Sequence, residues 1–283
     1  MMTAYPTLHS PLKSTWPAGA QHLFSTLSEL RYNAAPMGRF TISTLVYIAT
    51  VVVAAALSAL MAFMPQGELA MATESPVSPV TAAAINAGVV LVVYGGFGWL
   101  GLVLARRLGY PDVWDAFIAT RERFTNPAIA GLWLGLLFIV ADNIFGRFHS
   151  LGPLPHPPFP TSLVASFQAG AGEEMLFRLF FIPVVVWFVS RVMLNGQQQN
   201  AVFWVAAIFS AFFFAAAHIP TVMLLLDRPF DAIPAAILAE IFFINGTISL
   251  VAAFFLKRAG FLAAVTVHAS ADIVWHVIWG LMR

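Results

Sequence analysis

Thr161–Ser190 reads TSLVASFQAGAGEEMLFRLFFIPVVVWFVS, a run apolar almost throughout that nevertheless holds Glu173, Glu174 and Arg178 near its middle. A helix needs about 20 mostly apolar residues to cross the hydrocarbon of a bilayer, and this run exceeds that length. Inside lipid every backbone N–H and C=O must be satisfied within the segment or by a neighbour, so the run is a membrane helix. It is too long for one straight span. Gly170 and Gly172 predict a break near its middle, which would add an eighth embedded piece.

Working outward, six further stretches have the length and apolarity of spans or come close: Thr41–Met64, Thr81–Ala105, Ala128–Phe145, Ala201–Leu226, Ile233–Leu256 and Gly260–Leu281. The fold class is therefore all-α, a polytopic transmembrane helical bundle of about seven to eight spans. Composition agrees: 60% of the 283 residues are hydrophobic, 10% are charged, and mean hydropathy is +0.83. A soluble domain carries about 25% charged residues, and a chain this apolar has the lipid bilayer as part of its solvent. The net charge of +1 gives no sign of a nucleic-acid partner. With no cysteine, disulfides and thiolate metal sites are excluded.

The chain divides into a tail (1–40), amino-terminal spans (41–160) and a polar-motif region (161–283). The tail is broken by Pro6, Pro11, Pro17 and Pro36, and Gln21–Tyr32 is expected to lie as an amphipathic stretch on the membrane surface. Of the 14 Lys and Arg, ten fall on one side of the predicted spans and three (Arg147, Arg228 and Arg283) on the other. That bias predicts a cytoplasmic amino terminus in a multi-pass protein of the cell inner membrane.

Each ionisable group near the bilayer centre costs about 2.5–3.5 kcal/mol and asks for a reason. Glu174 and Arg178 stand at i and i+4, acid first, the favourable order for an ion pair. Glu173 lies about 100° around the helix and is left without a local cation, as suits a proton acceptor. His218 follows Phe214 by four residues in the fifth span. His268 and Asp272 share a face of the seventh, and His276 repeats the spacing beside Trp275 and Trp279, a membrane-interface environment. Glu240 and Asn245 are expected to hydrogen-bond between helices. Glu173 and Asp272 each lie twelve residues into their spans, a rise of about 18 Å from opposite ends, so both fall near mid-membrane.

Glu173-Glu174-x-x-x-Arg178, Phe214-x-x-x-His218 and His268-x-x-x-Asp272, in that order on three spans, resemble the CAAX-processing and bacteriocin-processing family of intramembrane glutamic endopeptidases. The resemblance runs from about Thr161 to the end. It implies hydrolysis of a peptide bond in a membrane-associated peptide or protein substrate, with no cofactor and no metal. Glu173 would activate water with help from His218, His268 and Asp272 would stabilise the oxyanion, and Glu174–Arg178 would support the helix. Asn is commoner than Asp at position 272. A carboxylate cannot donate to an oxyanion: Asp272 would donate only when protonated, which burial favours, or it accepts from His268 and orients that ring, the preferred role. Two other readings stay open: a zinc-dependent membrane protease using His218, His268 and a carboxylate, and a non-enzymatic scaffold, transporter or immunity protein.

Overall fold

The computed structural model describes residues 37–67, 77–151 and 154–282. The expected surface helix at Gln21–Tyr32, most of the tail and Arg283 lie outside them. Residues Ser43–Arg283 form one compact unit, separate from Met1–Ile42, and the architecture described is that of the larger unit. Its helices are α1 (Met37–Met61), α2 (Pro79–Arg107), α3 (Arg121–Phe148), α4 (Thr161–Met193), α5 (Gln199–Leu226), α6 (Ala235–Ala259) and α7 (Phe261–Trp279). All seven contain a stretch long and apolar enough to cross a membrane, and no strand occurs among the described residues. Large apolar side chains such as Val92, Trp133, Phe209 and Phe212 are exposed on the outside of the bundle, where lipid rather than water is the compatible solvent.

Two expectations about the spans are corrected. α4 does not break at Gly170 or Gly172 but runs unbroken over 33 residues, so it supplies no eighth piece among the described residues. Gly170 serves close approach instead: a Cβ there would lie 3.0 Å from the Ala269 Cβ of α7. The length is absorbed by two π-helical stretches, Met175–Phe181 and Trp187–Met193, that flank a short α-helical segment containing Pro183. α3 is also longer than Ala128–Phe145. Charge excludes its first turn, Arg121–Thr125, from the expected span. Yet Arg123 is buried with its guanidinium bonded to the Asp115 and Ile118 carbonyls and stacked 4.2 Å over Trp114. A paired arginine can therefore begin the helix ahead of its apolar stretch.

α7 is the most enclosed helix and packs on α3, α4 and α6. Small residues make that possible, as packing in lipid requires. A Cβ on Gly131 of α3 would run into the Val267 carbonyl oxygen. Gly260 alone joins α6 to α7, at φ +88°, and a Cβ there would also meet the Asp112 carbonyl at 2.8 Å.

The bundle has two chemically different ends. One gathers the α2 and α6 carboxy termini with the α3 and α5 amino termini. Arg258 pairs with Glu122 at 3.5 Å, Lys257 bonds Asn200, and Gln199 donates to the Leu108 carbonyl at 2.8 Å. Arg106, Arg107, Arg121, Arg123, Arg191, Lys257 and Arg258 lie there, at the ends of their helices. At the other end, Thr161 of α4 donates to the Pro65 carbonyl beyond α1. Buried Asp142 of α3 accepts from Leu154 N–H at 3.4 Å and from Trp279 Nε1 at 3.2 Å. Arg147 and Arg228 belong to this end.

Candidate active site

The two adjacent glutamates of α4 have opposite environments. The Glu174 side chain is 0% exposed and its Oε2 lies 3.1 Å from Nε of Arg178, also 0% exposed. The Glu173 side chain is 29% exposed and opens into a cavity of about 190 Å³. Helical geometry explains the split, since neighbours in sequence diverge by about 100° around the axis. The π stretch that begins at Met175 directly follows them.

His268 of α7 ties the two acids together. Its Nδ1 donates to Glu174 Oε1 at 2.8 Å, while Nε2 stands 3.5 Å from Asp272 Oδ2 and 3.7 Å from Glu173 Oε2. The short bond that orients the ring therefore comes from Glu174, not from Asp272 as the i,i+4 spacing suggests. Glu174 serves two partners, one on each oxygen.

His218 sits where α5 changes course. The α-helix Gln199–Ala217 ends there and Ile219–Leu226 continues with Pro220 in its first turn. His218 N–H bonds the Ala215 carbonyl instead of closing an α-turn onto Phe214. Its ring Nδ1 donates to the freed Phe214 carbonyl at 2.8 Å. A carbonyl only accepts, so Nδ1 carries a proton and Nε2 is the ring nitrogen left for chemistry.

Phe214 is the residue whose part sequence reasoning missed, although it stands in the motif. Its ring lies 4.2 Å below the Arg178 guanidinium and meets His218 and His268 edge-on, at centroid distances of 4.8 and 5.7 Å. One aromatic thus touches the buried guanidinium and both imidazoles. Only its place four residues before His218 set it apart from the other Phe residues of this helix.

Glu173, His218, His268 and Asp272 all line the cavity, among apolar walls that include Phe138, Ile241, Ile244 and Trp275. Glu174 and Arg178 lie buried behind it. Two residues differ from expectation. His276 does not simply mark an interface: it lines the cavity and shares a 3.1 Å Nδ1···Nδ1 hydrogen bond with His156. Asn245 also lines the cavity, and its amide donates within its own helix to the Ile241 carbonyl at 3.0 Å rather than across helices. Leu154 and Pro155, in the connection before α4, close one side. Among the described residues, no group of three or more His, Asp or Glu side chains is arranged to hold a metal ion.

Chemically, the arrangement sets a carboxyl group and an imidazole against a second imidazole fixed from behind by a sealed ion pair. No curated protein and no solved structure matches the chain. Residues 155–274 match the family described as type II CAAX prenyl endopeptidase, Rce1-like. That stretch runs from Pro155 past Asp272 and takes in all three motifs, so it is this part of the chain that is similar to the Rce1-like endopeptidases.

Proposed function

We propose that the protein is an intramembrane endopeptidase that hydrolyses a peptide bond of a membrane-associated substrate with Glu173 as the general base. The observation that carries this reading is the split between the acids: Glu173 faces the cavity, while Glu174 is sealed onto Arg178 and His268. A base must reach its water, whereas a buried acid with two fixed partners is committed to structure.

In this mechanism a water molecule sits between Glu173 and the free Nε2 of His218. Glu173 takes a proton as the water oxygen bonds to the peptide carbonyl carbon, and the carbonyl π pair moves onto its oxygen. His268, held through Nδ1 by Glu174, donates from Nε2 to that oxyanion. When the oxyanion collapses the C–N bond breaks, and the leaving amine takes the proton from Glu173. The gain comes from proximity and from donors fixed before reaction in a water-poor cavity. Asp272, beside the Nε2 edge of His268, tunes that donor.

The zinc reading would use His218, His268 and a carboxylate. It is disfavoured because, among the described residues, these side chains do not converge on one point. The test is cleavage of two quenched fluorescent peptides, one ending in a prenylated CAAX sequence and one apolar and unprenylated, by purified protein with and without chelator. Cleavage that survives chelation and is abolished by Glu173→Gln is the expected result. Cleavage that a chelator stops and added zinc restores would overturn the glutamic mechanism.

A further inference from the structure

We infer that the cavity takes its substrate from the side of the membrane opposite the cytoplasm, so that the peptides cleaved are membrane-anchored segments exposed on that far side. The inference rests on the proposed endopeptidase activity and names its substrate class.

The first observation is where the cavity lies along the bundle. Most of the lining comes from the helix halves nearest one end, and the rest from close to the helix middles. α4 gives Ala169 and Glu173, in its first half. α5 gives His218, Thr221, Val222 and Leu225, at its finish, and α6 gives Ile241, Ile244 and Asn245, in its first half, with Ile248 at its middle. α7 gives Asp272, Trp275 and His276, in its later half, with His268 just before its middle, and Phe138 comes from the second half of α3. These halves all point to the end where Asp142 ties Leu154 to Trp279. Leu154 and Pro155, which border the cavity, belong to the connection at that end. The site is therefore a recess reached from one face.

The second observation is independent of the first. Lys and Arg in the short connections and helix ends are retained on the cytoplasmic side during insertion. Among the described residues from α2 onward, seven lie at the opposite end and two, Arg147 and Arg228, at the cavity end. Three of the seven are held there structurally as well: Arg258 by Glu122, Lys257 by Asn200 and Arg106 by Asp112 at 2.9 Å. The connection between α5 and α6, at the cavity end, adds exposed Asp227 and Asp231 to its single Arg228. The basic end faces the cytoplasm and the recess faces away from it. A tail presented from the cytoplasm would have to pass the packed half of the bundle, where α2 and α4 approach so closely that a Cβ on Gly101 would run into the Leu179 carbonyl oxygen. A segment anchored in the bilayer and exposed on the far side meets the recess directly.

Because the chain has no cysteine, single cysteines read the topology without background. Ser150→Cys and Asp231→Cys mark the cavity end, and Gln197→Cys and Arg258→Cys the basic end. The full-length variants are treated in intact bacterial cells with a membrane-impermeant maleimide, and again after permeabilisation. The expected pattern is modification of Ser150→Cys and Asp231→Cys in intact cells, and of the other two only after permeabilisation. The reverse pattern, or equal labelling of both ends in intact cells, overturns the inference. Labelling reads the side whether or not the chain cleaves anything, so it stands or falls apart from the proposed activity. A second arm adds the apolar peptide, made impermeant with a charged tag, to membrane vesicles. Right-side-out vesicles should cleave it at least tenfold faster than inside-out vesicles, and detergent should abolish the difference. Preference for inside-out vesicles overturns the inference, and failure in detergent as well would sink the activity while leaving the labelling result intact.

Discussion

His268 and Glu174, 94 residues apart in the chain, share a buried 2.8 Å hydrogen bond, and the same carboxylate holds Arg178 at 3.1 Å on its other oxygen. Removing one partner of a buried pair costs about 3–5 kcal/mol, because the remaining charge is stranded. Glu174→Gln leaves Arg178 without its counter-charge at a fully buried position. It should lower the purified yield severalfold and shift thermal unfolding downward, as size-exclusion and melting profiles would record. A Glu174→Gln protein with normal yield and melting would mean that the pair does not hold the helix.

Asp272 should tolerate an amide. Its Oδ2 lies 3.5 Å from His268 Nε2, and the ring is already oriented through Nδ1 by Glu174. Asp272→Asn should fold normally and keep cleavage within about tenfold of wild type, a change of about 1.4 kcal/mol or less in transition-state stabilisation. A loss beyond a hundredfold, in a protein that melts normally, would show that the negative charge at 272 is itself required.

Phe214 offers a test of the aromatic that touches Arg178 and both imidazoles. Single aromatic contacts contribute about 0.5–1.5 kcal/mol beyond area burial, and Phe214 meets Arg178, His218 and His268 together. Phe214→Leu keeps much of the volume and removes the ring. It should reduce kcat about tenfold or more with KM little changed, since the reacting imidazoles lose their support while the cavity walls stay. A change in KM alone would make Phe214 a wall residue only.

Much of this architecture is legible in the residues. Seven apolar lengths appear as seven helices, and the i,i+4 order of Glu174 and Arg178 appears as their ion pair, because both depend on local geometry. What fails is long-range. Gly170 reads equally as a break or as room for a neighbour, and only Ala269, 99 residues on, decides for the latter. Arg123 reads as a residue outside the helix until the carbonyls of 115 and 118 satisfy it. His276 and Asn245 sit at positions whose helical faces can be assigned but not aimed, and the docking of His156 against His276 joins residues 120 apart. The bond from Glu174 to His268 is of the same kind: spacing offers Asp272 as the nearer partner, and packing chooses another helix.

The central claim, that Glu173 is the base, is tested most directly by the turnover of Glu173→Gln against wild type, measured on purified, monodisperse protein of matched melting temperature with chelator present. Glutamine preserves the shape at 173 but cannot take a proton from water. General-base catalysis is worth about 10²–10⁴-fold, so kcat should fall by at least a hundredfold with folding unchanged. Cleavage by Glu173→Gln within tenfold of wild type would contradict the assignment of Glu173 as the base and the division of labour between the two glutamates.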